Sequence, residues 1–197
     1  ASEDHRFFIH PGVDALRIIS AAVSNLTRSR QHLVGASTLT QQLVKNTLLH
    51  PEQTIWRKLH EQALAVILEK RIPKARILEL YLNDVYLGHR GSFAIHGVAQ
   101  GSRVLFGKDL RNVTLGEAAL MAGIIPAPQT YAPHRYPKRA QNRRNVVLQA
   151  MVERGLVTPD RALRASREPI RSMSDSVDLE APYFVDLVRK QLKSTVT

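Results

Sequence analysis

The stretch RKLHEQALAVILEKRIPKARILELYLNDVYLG, Arg57 to Gly88, decides the fold class. Its first half, Arg57 to Arg71, holds no Gly, Pro or Thr and is filled with strong helix formers, which predicts a helix. Pro73 ends or restarts it, because proline lacks the amide donor and clashes with the preceding turn. A second helix is expected over Lys74 to Leu87, where Ile77, Leu78, Leu80, Tyr81, Leu82, Val85 and Tyr86 make most of the surface apolar. Gly88 should stop it. Further along, Thr114-Leu115-Gly116-Glu117 has capping-box spacing and opens an apolar helix over Glu117 to Ile125, closed by Pro126 and Pro128. Gln141 to Arg154 reads as another helix, ended by Gly155. Thr158-Pro159 places a cap before a proline at the first helical position, so a short helix starts there. No period-2 run competes, and there is no internal repeat or low-complexity tract. The reading is a mainly α, single domain.

The 197 residues, 44% of them apolar, suffice for one good-sized core. Cysteine is absent, which excludes a disulfide framework and thiolate metal sites. A formal net charge of +11 and a pI near 10.4 call for an anionic partner: nucleic acid, an anionic membrane surface or a phosphorylated substrate. Between Asp14 and Glu52 no acid occurs, while Arg17, Arg28, Arg30 and Lys45 fall inside the gap. The same stretch carries Leu16, Ile18, Ile19, Val23, Leu26, Leu33 and Val34. It fits a surface lying against anionic lipid, and equally a basic loop with core anchors. No run approaches the roughly 18 apolar residues that span a bilayer, and no signal peptide is visible.

Several positions could carry chemistry. The segment GASTLTQQLVKN, Gly35 to Asn46, packs Ser37, Thr38, Thr40, Gln41, Gln42, Lys45 and Asn46 among only three large aliphatics. Hydroxyls, carboxamides and an ammonium suit a sugar and a phosphate. The same run also reads as a polar helix start, with Ser37 or Thr38 as the cap. In the helix that follows, Arg57, Glu61, Leu64 and Leu68 lie near one line, so Glu61 sits where the stripe turns apolar. It either pairs with Arg57 or titrates high. Glu3 and Asp4 are adjacent acids followed by His5 and His10, whose spacing matches no standard zinc pattern; alone they read as a charged terminus. His89 and His96 read as ordinary loop histidines. The glycines at 88, 91, 97, 101 and 107 lack nucleotide-binding spacing and read as allowing turns and close helix approach. From about Glu168 the helical pattern weakens into a Ser- and Asp-containing linker.

Three segments resemble, in order and spacing, the signature motifs of family 51 glycosyltransferases: SEDHRFFIHPGVD, GASTLTQQLVKN and the long segment from Arg57 to Gly88. These are the peptidoglycan glycosyltransferase domains of class A penicillin-binding proteins and their monofunctional relatives. GVAQGSRVLFGKDLRNVTLGEAALMAGIIPAPQTYAP and RRNVVLQAM resemble the family's later motifs. The resemblance implies a lysozyme-like, two-lobed, mainly α domain over residues 1–170, with the acid-free segment supplying a membrane-contacting jaw and part of the cleft. Residues 171–197 then form a linker, and APYFVDLVRKQL resembles the lead-in to a C-terminal transpeptidase domain whose Ser-x-x-Lys machinery is absent from this sequence.

The family's reaction polymerises lipid II with inversion, releasing undecaprenyl pyrophosphate. By position, Glu3 matches the catalytic base and Glu61 the second family glutamate, expected to orient Arg57 and Lys45 or to hold the donor site. Lys45, Arg57 and Lys58 match the basic positions toward the pyrophosphate. Ser37, Thr38, Gln41, Gln42 and Asn46 match the sugar- and phosphate-contacting motif, with Asp4 also among the substrate-binding positions. A hydroxyl nucleophile needs such a carboxylate within reach, and a departing pyrophosphate needs cations. Mg2+ or Mn2+ can bridge a pyrophosphate, though no residue pattern demands either. Implied partners are lipid II, the nascent glycan strand, an anionic membrane surface and other cell-wall synthesis proteins, with no nucleic acid. The implied location is the outer, periplasmic face of the bacterial cytoplasmic membrane, with an anchor outside this sequence.

Some positions depart from the pattern. Ala36 replaces the second glycine of the usual Gly-Gly-Ser, His5 stands where Arg or Lys is usual, and Gln53 occupies a position basic in some relatives. The helix that ordinarily precedes Glu3 is missing, so the expectation is a base loosely held at the terminus. Two other readings stay open on residues alone. A lysozyme-like hydrolase or lytic transglycosylase would not need Lys45, Arg57 and Lys58 to converge. A basic lipid- or nucleic-acid-binding module calls for stacking aromatics, of which only Trp56 and a few tyrosines are available.

Overall fold

The computed structural model describes residues 3–27, 37–49, 54–91 and 93–170, and of residues 22–27 the backbone alone. Eight helices and one two-stranded sheet are found among the described residues, in agreement with the mainly α expectation. The described residues fall into two compact units, one of those up to 85 together with 149–159, the other of those in 86–148 and 160–170.

The first unit is built on four helices: α1 (Ala15–Thr27), α2 (Leu39–Leu48), α3 (Ile55–Arg71) and α4 (Lys74–Asp84). Asp14 caps α1, its Oδ1 accepting from the Arg17 amide at 3.1 Å. Helix α2 packs against both α3 and α4. Leu39, Leu43 and Val44 of α2, Ala65 of α3, Ile77 and Tyr81 of α4, and Phe7 are all buried. Pro73 separates α3 from α4 as expected, standing at the cap of α4.

Helix α4 ends at Asp84, three residues short of the expected Leu87. The chain then runs into β1 (Tyr86–Arg90), paired antiparallel with β2 (Phe93–His96). Gly88 is therefore no helix stop. It lies in a register shift of the sheet with φ of +114°, a conformation side chains other than glycine rarely adopt. Two strands of five and four residues, one interrupted by a bulge, leave too little alternation to read as a pattern.

The hairpin belongs to the second unit with α5 (Val98–Phe106), a 3-10 turn (Leu110–Asn112), α6 (Leu115–Ile124), and all but the ends nearest the 149–159 segment of α7 (Pro137–Glu153) and α8 (Pro159–Arg167). Helix α5 falls in a stretch read as a glycine-punctuated loop; its glycines at 97 and 107 are the caps rather than breaks. Thr114 and Glu117 form the expected capping box on α6. That helix is apolar on nearly all sides and correspondingly buried. Helix α7 begins at Pro137, four residues before the expected Gln141, because proline is well suited to the first helical turn. Residues 171–197, and with them the linker and lead-in, lie outside the described residues, as do Gly35, Ala36 and Gln53.

Candidate active site

The loop from Glu3 to Asp14 turns on Arg6, whose carbonyl accepts from the amides of Ile9 at 2.8 Å and His10 at 3.2 Å. Asp4, Phe7 and His10 point inward, while Phe8 and Ile9 face out. Asp4 is only 4% exposed, so the pair of N-terminal acids is not a solvated terminus. Gly12 donates its amide to His10 Nδ1 at 3.2 Å, which leaves the ring proton on Nε2; that nitrogen donates to Asp4 Oδ2 at 2.9 Å. Gly12 itself has φ of +94°, and a Cβ there would come within 2.7 Å of the Ala65 carbonyl oxygen, so the loop presses onto the α3 backbone. Burial pushes the Asp14 carboxyl up, but the Arg17 amide and the Arg6 charge, the largest opposing causes, help hold it below the usual range.

Glu3 is half-buried, and its carbonyl accepts from the Arg17 guanidinium. Its carboxylate lies near enough to Tyr81 to act on that phenol. Burial first, and the Glu3 charge second, push the phenol well above its ordinary range. Tyr81 donates its hydroxyl to Gln42 Oε1 at 3.1 Å, joining α4 to α2.

The start of α2 joins this loop. Thr38 is its cap: Thr38 Oγ1 accepts from the Gln41 amide at 3.2 Å, and Gln41 Oε1 accepts from the Thr38 amide at 2.8 Å. The Thr38 hydroxyl also donates to the Gly12 carbonyl at 2.6 Å, and the Leu39 amide donates to Asp4 Oδ2 at 3.1 Å. Thr38, Gln41 and Asp4 are thus buried in bracing the helix start against the loop. Of the later polar residues of α2, Gln42 is half-buried and Lys45 and Asn46, about a turn further along, are exposed.

Helix α3 supplies the cations. Thr54 caps it through the Arg57 amide at 3.1 Å, so Arg57 and Lys58 fall in the first turn. Glu61 is 1% exposed and takes both of them: Arg57 Nη1 lies 2.9 Å from Oε2, and the Lys58 ammonium bonds Oε1. Lys58 Nζ also donates to Ser37 Oγ at 2.9 Å. Of the two options read for Glu61, pairing is realised, with Lys58 as well as Arg57. Its oxygens hold these two rather than Lys45. A buried carboxylate with two cations locks both side chains in place at the mouth of the helix.

These contacts form an unbroken chain: Arg57 and Lys58 on Glu61, Lys58 on Ser37, then Thr38 and Leu39, then Asp4 beside Glu3. Sequence reasoning singled out most of its members, but not the bonds beside it: His10 on Asp4, Tyr81 on Gln42, and Thr40 and Lys74 on Glu69. A tyrosine in a helix buried on that face is the one signal available, because its hydroxyl requires a partner. The two Glu61 oxygens are spent on cations, and among the described residues no cluster of three His, Asp or Glu could hold a metal.

The sequence matches the family described as Transglycosylase over residues 1–152. It is 44% identical to penicillin-binding protein 1B of Vibrio cholerae serotype O1, covering 86% of this chain and 22% of that protein. To penicillin-binding protein 1A of Escherichia coli K12 it is 41% identical over 98% of this chain and 22% of that protein. To penicillin-binding protein 1A of Aquifex aeolicus the identity is 40%, over 96% of this chain and 25% of that protein. The chain therefore spans about a quarter of the length of these relatives. The crystal structure of penicillin-binding protein 1A from Haemophilus influenzae matches at 31% identity with a TM-score of 0.49, covering 78% of this chain and 19% of that one.

Proposed function

The chain belongs to the transglycosylase family, and on that premise we propose that it is a peptidoglycan glycosyltransferase that polymerises lipid II. The 4-hydroxyl oxygen of the acceptor GlcNAc attacks the anomeric carbon of the donor. As that C–O bond forms, the donor's bond to pyrophosphate breaks, the hydroxyl proton passes to the Glu3 carboxylate, and undecaprenyl pyrophosphate departs. Attack opposite the leaving group inverts the α-linked donor to a β-1,4 glycan. Lys58 and Arg57, pinned by Glu61, and the exposed Lys45 offset the charge that grows on the pyrophosphate. Ser37, Gln42 and Asn46 contact sugar and phosphate, while Asp4, Thr38 and Gln41 act from below by fixing the start of α2.

The observation that carries this reading is the continuous chain of bonds from the Glu3–Asp4 loop to the two cations on a buried carboxylate. A hydrolase needs acid and base but has no pyrophosphate to neutralise, so the cationic half of the arrangement favours transfer. Lipid II, the growing glycan strand and an anionic membrane surface are the proposed partners, together with other cell-wall synthesis proteins. The proposed place is the periplasmic face of the cytoplasmic membrane. No helix among the described residues is long and apolar enough to cross a membrane. The segment 171–197 leads, on this reading, toward a transpeptidase domain. Incubation with fluorescent lipid II, resolved on a gel, tests the activity: a ladder of longer strands is expected, and shortening of preformed glycan would mean a lytic enzyme instead.

A further inference from the structure

We propose that Lys74 is a positioning residue for this reaction: its ammonium, held by Glu69 and seated on Phe7, fixes the loop that carries Glu3. The inference rests on the assignment of Glu3 as the base. Lys74 opens α4, where the positive end of the helix dipole disfavours a cation and no acid of the first turn compensates it. A residue that breaks its local rule is held by something outside its own helix. Here Lys74 Nζ lies 2.8 Å from the Glu69 carboxylate, near the end of α3, and 4.4 Å from the centroid of the Phe7 ring. The Thr40 hydroxyl of α2 donates to the same Glu69 oxygen. Three helices thus meet over one aromatic ring of the loop.

That ring is one of few anchors. Of residues 4–10 only Asp4, Phe7 and His10 are buried. Phe7 stands edge-to-face against His10 at 6.3 Å between centroids, and His10 holds Asp4, the neighbour of Glu3. The path therefore runs from Lys74 through Phe7, His10 and Asp4 to the base. Glu69 cannot anchor Phe7 by itself, because a carboxylate is repelled by the face of a ring that attracts a cation. Lys74 is the piece that joins them.

The test compares Lys74→Met, which keeps the stem and loses the charge, with Lys74→Arg, which keeps a cation over the ring. Two readouts are used: hydrogen exchange at the amides of Ile9, His10, Gly12 and Leu39, all bonded within the loop or to Asp4, and steady-state turnover of lipid II. In Lys74→Met those four amides should exchange about tenfold faster or more while the α5 and α6 amides keep their rates. The same variant should lose about tenfold or more in kcat with KM within about twofold, the signature of a misplaced base rather than lost binding. Lys74→Arg should restore both. Wild-type exchange at the four amides in Lys74→Met overturns the proposal, and so does faster exchange spread evenly over the chain, which marks a residue of general stability. A wild-type chain that makes no polymer sinks the functional reading, while the exchange comparison still decides whether Lys74 holds the loop.

Discussion

Replacing Glu61 by Gln removes one charge and almost no volume, yet it strikes the residue on which the two cations are hung. Glu61 is 1% exposed, with the Arg57 side chain 19% and that of Lys58 39% exposed. A hydrogen bond to a charged group contributes about 1.5–3 kcal/mol. The Arg57 contact should lose most of that, since its guanidinium has little water to turn to. Lys58 is exposed enough to rehydrate, so its share is about 0–1 kcal/mol, as for a surface pair. The glutamine amide adds to the loss where its NH2 meets a cation that cannot accept. The sum is about 1.5–4 kcal/mol. For a chain of this length each kcal/mol moves the melting temperature by about 2–4 °C, so the variant should melt about 3–16 °C lower. Turnover should fall by about a hundredfold or more at temperatures where both proteins are folded, because Arg57 and Lys58 lose their fixed positions. Calorimetry and a labelled lipid II assay read the two effects. A melt within about 1 °C of wild type together with unchanged turnover would mean that Arg57 and Lys58 keep their places without the Glu61 charge, contrary to this prediction.

Lys45→Ala should weaken use of the donor more than of the acceptor and leave the melt nearly unmoved, since the side chain is exposed on α2; an unchanged rate removes it from the pyrophosphate. Acid should destabilise the chain through Asp14 and Glu117, both held below the ordinary carboxyl range in the fold. For Glu117, burial opposes that shift while Lys108 and Thr114 produce it. The unfolded chain binds protons there first, so this stability is complete above the unfolded values near pH 4 and is lost as pH falls through the depressed folded ones. Melting temperatures taken between about pH 6 and pH 2 should drop in that range, and less steeply in Asp14→Asn and Glu117→Gln; parallel curves would contradict the assignment.

Local rules were readable where they act within a few residues. The long α3, the Thr114–Glu117 box and the proline that opens α8 all follow from propensity and caps. The end of α4 was not, because the apolar run continues without a break from helix into β1. The start of α1 was also missed: its capping acid Asp14 borders the acid-free stretch whose basic charge drew the reading toward a lipid-facing surface. In the site, the Arg57–Glu61 pair is written in helical spacing, whereas Lys58 on Ser37, 21 residues apart, and His10 on Asp4 depend on how a loop folds back onto a helix start. No periodicity encodes that. The polar run from Ser37 to Asn46 shows the same limit. Its composition suited both a capped helix start and a sugar site, and the fold splits it, turning Thr38 and Gln41 inward while Gln42, Lys45 and Asn46 stay at the surface.

On the proposed reaction, the Glu3 carboxylate takes the acceptor's proton on one side of the donor's anomeric carbon and the cations on Glu61 meet the leaving pyrophosphate on the other. The most direct measurement sets lipid II binding beside polymerisation in wild type, Glu3→Gln and Lys58→Ala. Glu3→Gln should bind lipid II within about threefold of wild type and lose about 10²–10⁴ in polymerisation, the range of a general base, while Lys58→Ala weakens both. Polymerisation by Glu3→Gln at the wild-type rate would contradict the account.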